Sequence, residues 1–140
     1  METLRLVARV VLAVAMITVG VLHFTDPEPF VRIVPPWLPA ARWLVWISGV
    51  AEIGLGALLL VPHPRARWAA RWGLIALYVA VFPANIHMAV NQIQLDPADP
   101  MPGWVAWARL PFQVVFVLWA LWVTRPDRAA ARPVTGPSSR

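Results

Sequence analysis

The stretch Phe82-Pro83-Ala84-Asn85-Ile86-His87-Met88 lies near the end of an apolar segment that runs from about residue 72 to residue 90. An asparagine and a histidine are costly inside a membrane span unless each one faces a partner or a cavity. Pro83 has no backbone N–H and loosens a helix at this point. The stretch therefore predicts a polar pocket inside a helical protein that spans a membrane.

The composition is typical of an integral membrane protein. Hydrophobic residues make up 59% of the 140 residues and charged residues only 14%, whereas an average soluble domain has ~25% charged residues. A chain of this length forms one domain. It contains no cysteine, which excludes disulfides, thiol catalysis and thiolate metal sites within the chain. The net charge of +5 comes from arginines near the ends of apolar segments, and nucleic acid is not expected as a partner.

Four apolar segments are each long enough to cross a bilayer, which takes about 20 residues of helix. They predict an all-α, integral membrane four-helix bundle with antiparallel up-down topology. The predicted transmembrane domain covers residues 1–124, with spans at about 4–22, 43–61, 70–91 and 104–124. Residues 125–140 are rich in Arg, Pro, Ser and Thr and are predicted to form a disordered cytoplasmic tail.

The distribution of arginines predicts the orientation of the spans. Nine arginines lie on the side shared by the N-terminus, the second loop (residues 62–71) and the tail, whereas only Arg32 and Arg42 lie on the opposite side. Because cytoplasmic loops carry the excess of basic residues, both termini are predicted to be cytoplasmic. The use of arginine without any lysine is typical of GC-rich bacterial coding, so the expected location is the bacterial inner membrane.

The first loop, residues 25–42, combines five prolines with apolar residues such as Phe30, Ile33 and Trp37. The prolines forbid a continuous helix, yet the loop is too apolar to be freely solvated. It is predicted either to form a short interfacial or re-entrant segment that lids the pocket, or to rest on the lipid headgroups.

One face of the second span carries small residues. Ser48, Glu52 and Gly56 recur at intervals of four, and Gly49 lies three residues before Glu52. Small residues on such a face let a neighbouring helix approach closely. Glu52 lies nine residues past Trp43, and thus about 13 Å into the span, near the midplane.

Six polar residues are predicted to line one outward-opening ligand pocket, and none is assigned a catalytic role. They are His23, Glu52, Asn85, His87, Arg109 and Gln113. An unpaired charge at the midplane costs at least ~2.5–3.5 kcal/mol, so Glu52 and Arg109 are predicted to pair, or Glu52 to be protonated. Both interpretations stay open: an ion pair that fixes helix packing, and a carboxyl that exchanges protons or anchors a ligand.

The two histidines and the asparagine place limits on the pocket. Asn85 and His87 are two positions apart, so an ideal helix turns them about 200° from each other. Both face one pocket only if Pro83 distorts the helix; otherwise one of them contacts a neighbouring element. His23 and His87 with one carboxylate would form a metal site, but the sequence lacks the usual His-x-x-His or Glu-x-x-His spacing, and no metal is predicted.

Several short motifs resemble those of the DoxX family of small bacterial membrane proteins. They are Gly20-x-x-His23-Phe24, Val34-Pro35-Pro36-x-Leu38-Pro39, Ser48-Gly49-x-x-Glu52, Gly56 and Pro83-Ala84-Asn85-Ile86-His87-Met88. The resemblance covers about residues 5–122 and implies a four-helix membrane fold. It also implies a link to quinol oxidation or to oxidative-stress defence, with His23, Glu52, Asn85 and His87 as the polar motif residues. The absence of cysteine argues against a thiol-based sulfur relay.

Three functions remain open. The first is a redox-associated membrane subunit or accessory protein whose pocket binds a small lipophilic, quinone-like ligand. Its expected partners are membrane lipid, a membrane redox complex and further copies of the chain. The second is a non-catalytic assembly or chaperone protein. The third is a small stand-alone membrane enzyme that uses Glu52 and a histidine as acid and base.

Overall fold

The structure, a computed structural model, describes residues 2–126. This part of the chain contains five α-helices and no strand, which confirms the predicted all-α class for the described residues. The helices are α1 (Glu2–Thr25), α2 (Glu28–Ile33), α3 (Ala41–Leu60), α4 (Pro64–Asn91) and α5 (Gly103–Val123). All but α2 are long and apolar enough to cross a membrane. The predicted disordered tail lies outside the described residues from residue 127 onward.

Helix α4 begins at Pro64, so most of the loop predicted at residues 62–71 is helical. Two local features explain the earlier start. Proline suits the first helical position because its fixed φ is helical and its missing N–H would have no partner there. His63 precedes it in extended conformation, and its Nδ1 accepts a hydrogen bond from the backbone N of Arg65 at 3.2 Å. His63, which had no predicted role, is therefore the N-cap of α4.

The segment between α1 and α3 contains the short helix α2. Pro27 is its N-cap and Pro29 lies in its first turn, where a missing N–H costs no helical hydrogen bond. The helix ends at Ile33 because Val34 precedes Pro35 and is extended, with φ −64° and ψ 126°. We call residues 26–40 the capping segment.

The long helices contact one another in a closed order. Helix α1 packs most extensively against α3, α3 also packs against α4, α4 against α5, and α5 returns to contact α1. The contact between α1 and α3 is a backbone contact: a Cβ atom added at Gly20 would lie 2.8 Å from the carbonyl oxygen of Gly49. A Cβ at Gly56 would lie 2.9 Å from the carbonyl oxygen of Ala13. The small-residue face of α3 thus allows α1 to approach closely.

Two apolar clusters flank the middle of the protein. The larger one joins α1, α3, α4 and α5 and includes Leu12, Leu59 and Leu74, which are almost fully buried. The smaller one joins the capping segment to α4 and α5 through Ile33 and Met88. The polar residues predicted for the pocket come from α1, α3, α4 and α5.

Candidate functional site

A cavity of about 470 Å³ lies between α1, α3 and α4, beneath the capping segment. Most of its lining is apolar. The polar side chains that line it are His23, Ser48, Glu52, Asn85 and Arg109. Four of the six residues predicted for the ligand pocket are therefore in its wall, whereas Gln113 and His87 are not.

Glu52 and His23 are brought together by the close contact of α1 and α3. His23 Nδ1 lies 2.8 Å from the carbonyl oxygen of Val19 and 3.4 Å from Glu52 Oε2. A carbonyl oxygen can only accept a hydrogen bond, so Nδ1 carries a proton and donates it to Val19. Glu52 Oε2 is buried and has no hydrogen-bond partner among residues 2–126. The carboxyl group therefore has unused capacity to accept a hydrogen bond in the cavity.

The predicted ion pair between Glu52 and Arg109 does not form. Within residues 2–126, the basic side chain that contacts Glu52 is His23, and Arg109 has no ion pair or hydrogen bond. The reason is the order of the helices: α3 packs against α1 and α4, whereas α5 packs against α4 and α1. Glu52 and Arg109 come from helices that are not packed together, and each contributes separately to the wall of the cavity.

Asn85 belongs to a hydrogen-bonded chain that joins α4 and α5. Its Nδ2 donates to Gln113 Oε1 at 3.0 Å, and Gln113 Nε2 donates to the backbone carbonyl of Tyr78. Pro83 lacks the N–H that would bond to the carbonyl of Val79, next to this position. Gln113 is thus a buried support that orients Asn85, whose Oδ1 remains available to the cavity.

His87 points to a different neighbour. Its Nδ1 donates to the backbone carbonyl of Ile33 at 3.1 Å, which ties α4 to the capping segment. The two-residue separation from Asn85 explains this placement, since an α-helix turns the two side chains to different sides. No group of three His, Cys, Asp or Glu residues that could hold a metal ion occurs in the described range 2–126.

The capping segment forms the remaining wall of the cavity through residues that include Phe30, Val34 and Leu38. The ring of Phe30 stacks on His23, with the ring centroids 3.8 Å apart and the planes at 24°. Arg42 Nη2 donates to Glu28 Oε1 at 2.5 Å and links the segment to the start of α3. Two roles were predicted for this loop, a lid over the pocket and a loop that rests on the lipid headgroups. The contacts of the capping segment with the cavity are those expected of a lid.

Phe30 and Ser48 line the cavity but were not among the predicted site residues. The position of Ser48, one turn before Glu52 on the same helical face, was a signal that could have assigned it. No sequence signal pairs Phe30 with His23, because their contact depends on how the capping segment folds back over α1.

Comparison with known families assigns the chain to one protein family. A family model described as "Domain of unknown function (DUF8561)" matches residues 12–124. The chain belongs to the DUF8561 family. The matched region contains all six predicted pocket residues and the whole capping segment. Neither a curated protein nor a solved structure matches the chain.

The resemblance to DoxX was wrong, because the match is to DUF8561. The motifs that carried the resemblance consist mainly of glycines, prolines and single polar residues. Such residues recur in unrelated membrane helices wherever helices pack closely or enclose a polar group. With the resemblance gone, the link to quinol oxidation has no support from family membership.

Proposed function

We propose that this DUF8561 protein is a multi-pass protein of the bacterial inner membrane that binds a small lipophilic molecule in the cavity. The observation that carries the proposal is the pair of unused polar groups, Glu52 and Arg109, in the wall of a mainly apolar cavity. The ligand enters from the outer side, and both chain termini are cytoplasmic.

The exposed surface supports the membrane part of the proposal. Large apolar side chains are exposed on the long helices, for example Ile47 at 62%, Val79 at 66% and Val114 at 60%. Soluble monomers rarely expose contiguous apolar surface of this kind, whereas hydrocarbon around the helices makes it favourable. The order of helix contacts and the short connection between α3 and α4 suit an antiparallel four-helix bundle.

The orientation of the bundle is supported by the arginines. Arg65, Arg67 and Arg71 lie at the start of α4, and Arg5 and Arg9 lie at the start of α1. Arg9 Nε donates to the carbonyl oxygen of Val123 at 3.2 Å, so the start of α1 and the end of α5 lie at the same end of the protein. The positive-inside rule assigns that end to the cytoplasm.

The cavity supports the ligand part of the proposal. Small-molecule sites typically have volumes of about 300–1,000 Å³ and a mainly apolar lining with a few polar groups. Buried polar atoms in native proteins nearly always have a partner. A bound molecule that reaches Glu52 Oε2 would supply the partner that the described residues do not.

A quinone remains a candidate ligand because it is lipophilic and of suitable size. A place in a redox complex rested on the DoxX resemblance alone and is not part of the proposal. A stand-alone enzyme has one observation in its favour, the 3.4 Å separation of His23 Nδ1 and Glu52 Oε2. In that case the purified protein should turn over a lipophilic substrate, and Glu52→Gln should abolish turnover.

The direct test is mass spectrometry of small molecules that co-purify with the full chain in mild detergent. Wild type is compared with Glu52→Gln and Arg109→Gln at equal folded yield. Glu2→Gln and Arg125→Gln make the same chemical changes at exposed positions away from the cavity and serve as matched controls.

We expect a stoichiometric lipophile in wild type and in both controls, and its loss in the two cavity variants. Wild type with no bound molecule, or cavity variants that retain it in full, would refute the ligand proposal. A loss of one particular membrane partner in Glu52→Gln, with no small molecule in wild type, would instead favour the assembly function.

A further inference from the structure

We infer that the cavity selects an electrically neutral lipophile whose head carries a hydroxyl group. The inference rests on the proposed function and specifies the ligand class of the same cavity. It follows from three features of the wall: the charges that face the cavity, the hydrogen bonds that these groups can make, and the state of His23.

The charges of the wall favour a neutral ligand. Glu52 and Arg109 line the same cavity, and neither has an oppositely charged side chain hydrogen-bonded to it among residues 2–126. With Glu52 ionised, which is part of this inference, its carboxylate and the guanidinium of Arg109 together carry no net charge. A protonated Glu52 would instead leave one positive charge in the wall and favour an anionic head, an outcome that overturns the inference. A charged ligand head would leave one uncompensated charge in apolar surroundings, which is strongly unfavourable.

Hydrogen bonding favours a hydroxyl group among neutral heads. A carboxylate can only accept hydrogen bonds, and a guanidinium can only donate them. A hydroxyl group can donate its proton to Glu52 and can accept from Arg109 through its oxygen, so it suits whichever of the two groups the head reaches. A carbonyl or ether oxygen satisfies Arg109 but leaves Glu52 without a donor, so a quinone fits less well than its hydroxyl-bearing reduced form.

The remaining polar side chains fit the same head. Asn85 donates through Nδ2 to Gln113, which leaves its Oδ1 as a further acceptor for a hydroxyl proton. Ser48 donates its own proton to the carbonyl oxygen of Val45 at 2.8 Å and offers only an oxygen to the cavity. Three polar groups in the wall, those of Glu52, Asn85 and Ser48, therefore accept hydrogen bonds. The head of the ligand must be able to donate one.

His23 adds no third charge. Its Nδ1 proton is used by Val19, and its ring stacks on Phe30. A neutral imidazole satisfies both contacts. The apolar remainder of the wall, which includes Val19, Leu77 and Val81, accommodates the hydrocarbon part of the ligand.

The test uses four probes with the same twelve-carbon chain: dodecan-1-ol, dodecyl methyl ether, dodecylamine and dodecanoic acid. Each is titrated into the full-length protein in lipid nanodiscs, and its affinity is derived from the rise in the unfolding midpoint with probe concentration. For wild type we expect dodecan-1-ol to bind at least about tenfold more tightly than the ether, because the ether cannot donate to Glu52. The amine and the acid should also bind more weakly than the alcohol.

Charge-changing variants give a second, independent readout. Glu52→Gln leaves a single positive charge in the wall and should shift the preference towards dodecanoic acid. Arg109→Gln leaves a single negative charge and should shift the preference towards dodecylamine. The controls Glu2→Gln and Arg125→Gln should keep the wild-type order of affinities.

The outcomes separate the two proposals. If dodecanoic acid or dodecylamine binds wild type best, or if the ether equals the alcohol, the hydroxyl inference is overturned while the lipophile site stands. If no probe binds wild type or any variant, the proposed lipophile site itself is overturned. The wild-type order decides the inference even where a cavity variant fails to fold.

Discussion

The close contact between α1 and α3 can be tested by adding one methyl group at Gly49. A Cβ atom there would lie 2.8 Å from His23 Cβ, 2.9 Å from Phe24 Cε2 and 3.0 Å from the carbonyl oxygen of Gly20. Gly54 lies on the same helix, and a Cβ there would meet nothing within 4 Å. Gly49→Ala and Gly54→Ala therefore make the same change with and without a steric conflict.

The magnitude follows from these distances. Non-bonded carbon atoms pack best at about 3.5–4.0 Å, so α1 must move away from α3 by on the order of 0.7 Å in Gly49→Ala. Overpacking of this kind typically costs about 1–3 kcal/mol. Alanine also favours a helix over glycine by roughly 0.5–1 kcal/mol, but this gain is common to both variants. We therefore expect Gly49→Ala to be less stable than Gly54→Ala by about 1–3 kcal/mol.

The assay is reversible unfolding in mixed detergent micelles, followed by tryptophan fluorescence and circular dichroism. Gly54→Ala should unfold at the wild-type denaturant concentration or slightly above it, and Gly49→Ala clearly below it. The separation of the helices should also move His23 away from Glu52 and weaken lipophile binding. Equal free energies of unfolding for the two variants would refute the backbone contact.

Three further outcomes are expected. His63→Ala should destabilise the protein by about 0.5–1 kcal/mol through loss of the α4 cap, with His63→Asn closer to wild type in the same unfolding assay; equal stability of both variants would contradict the capping role. His87→Ala should speed amide hydrogen exchange in residues 28–34, because the bond to the Ile33 carbonyl is lost, and unchanged exchange would show that this bond does not hold the capping segment. Gln113→Leu should cost about 1–3 kcal/mol by leaving Asn85 Nδ2 unpaired, and Asn85→Leu in that background should recover part of the loss; strictly additive costs would argue against the coupling.

Much of the helical architecture could be predicted from local sequence. Long apolar segments leave a helix as the only way to satisfy the backbone in hydrocarbon, and all four predicted segments coincide with long helices. The helix in the capping segment was harder to predict from sequence, since α2 is only six residues long and contains a proline. The start of α4 was missed because the cap by His63 depends on one side-chain hydrogen bond that hydropathy does not report.

The candidate site could be predicted only in part. Four of the polar residues that were predicted from their position inside apolar segments lie in the cavity wall: His23, Glu52, Asn85 and Arg109. Gln113 is also a polar residue inside an apolar segment, but it accepts a hydrogen bond from Asn85 and does not line the cavity. Because burying a polar group is costly, a buried polar residue is expected to have a hydrogen-bond partner. This cost does not tell whether the partner is a ligand in a cavity or a neighbouring side chain.

The sequence by itself determined which segments form long apolar helices, because hydropathy and helix length are local properties. It also determined that Asn85 and His87 point to different sides of any undistorted α-helix, because the turn per residue is constant, and the tertiary structure showed that His87 contacts the Ile33 carbonyl. Only the tertiary structure decided that Glu52 meets His23 rather than Arg109. That choice depends on which helices are neighbours and on how each is rotated about its axis. The glycine contacts between α1 and α3 set both for this pair, and they involve residues far apart in the chain.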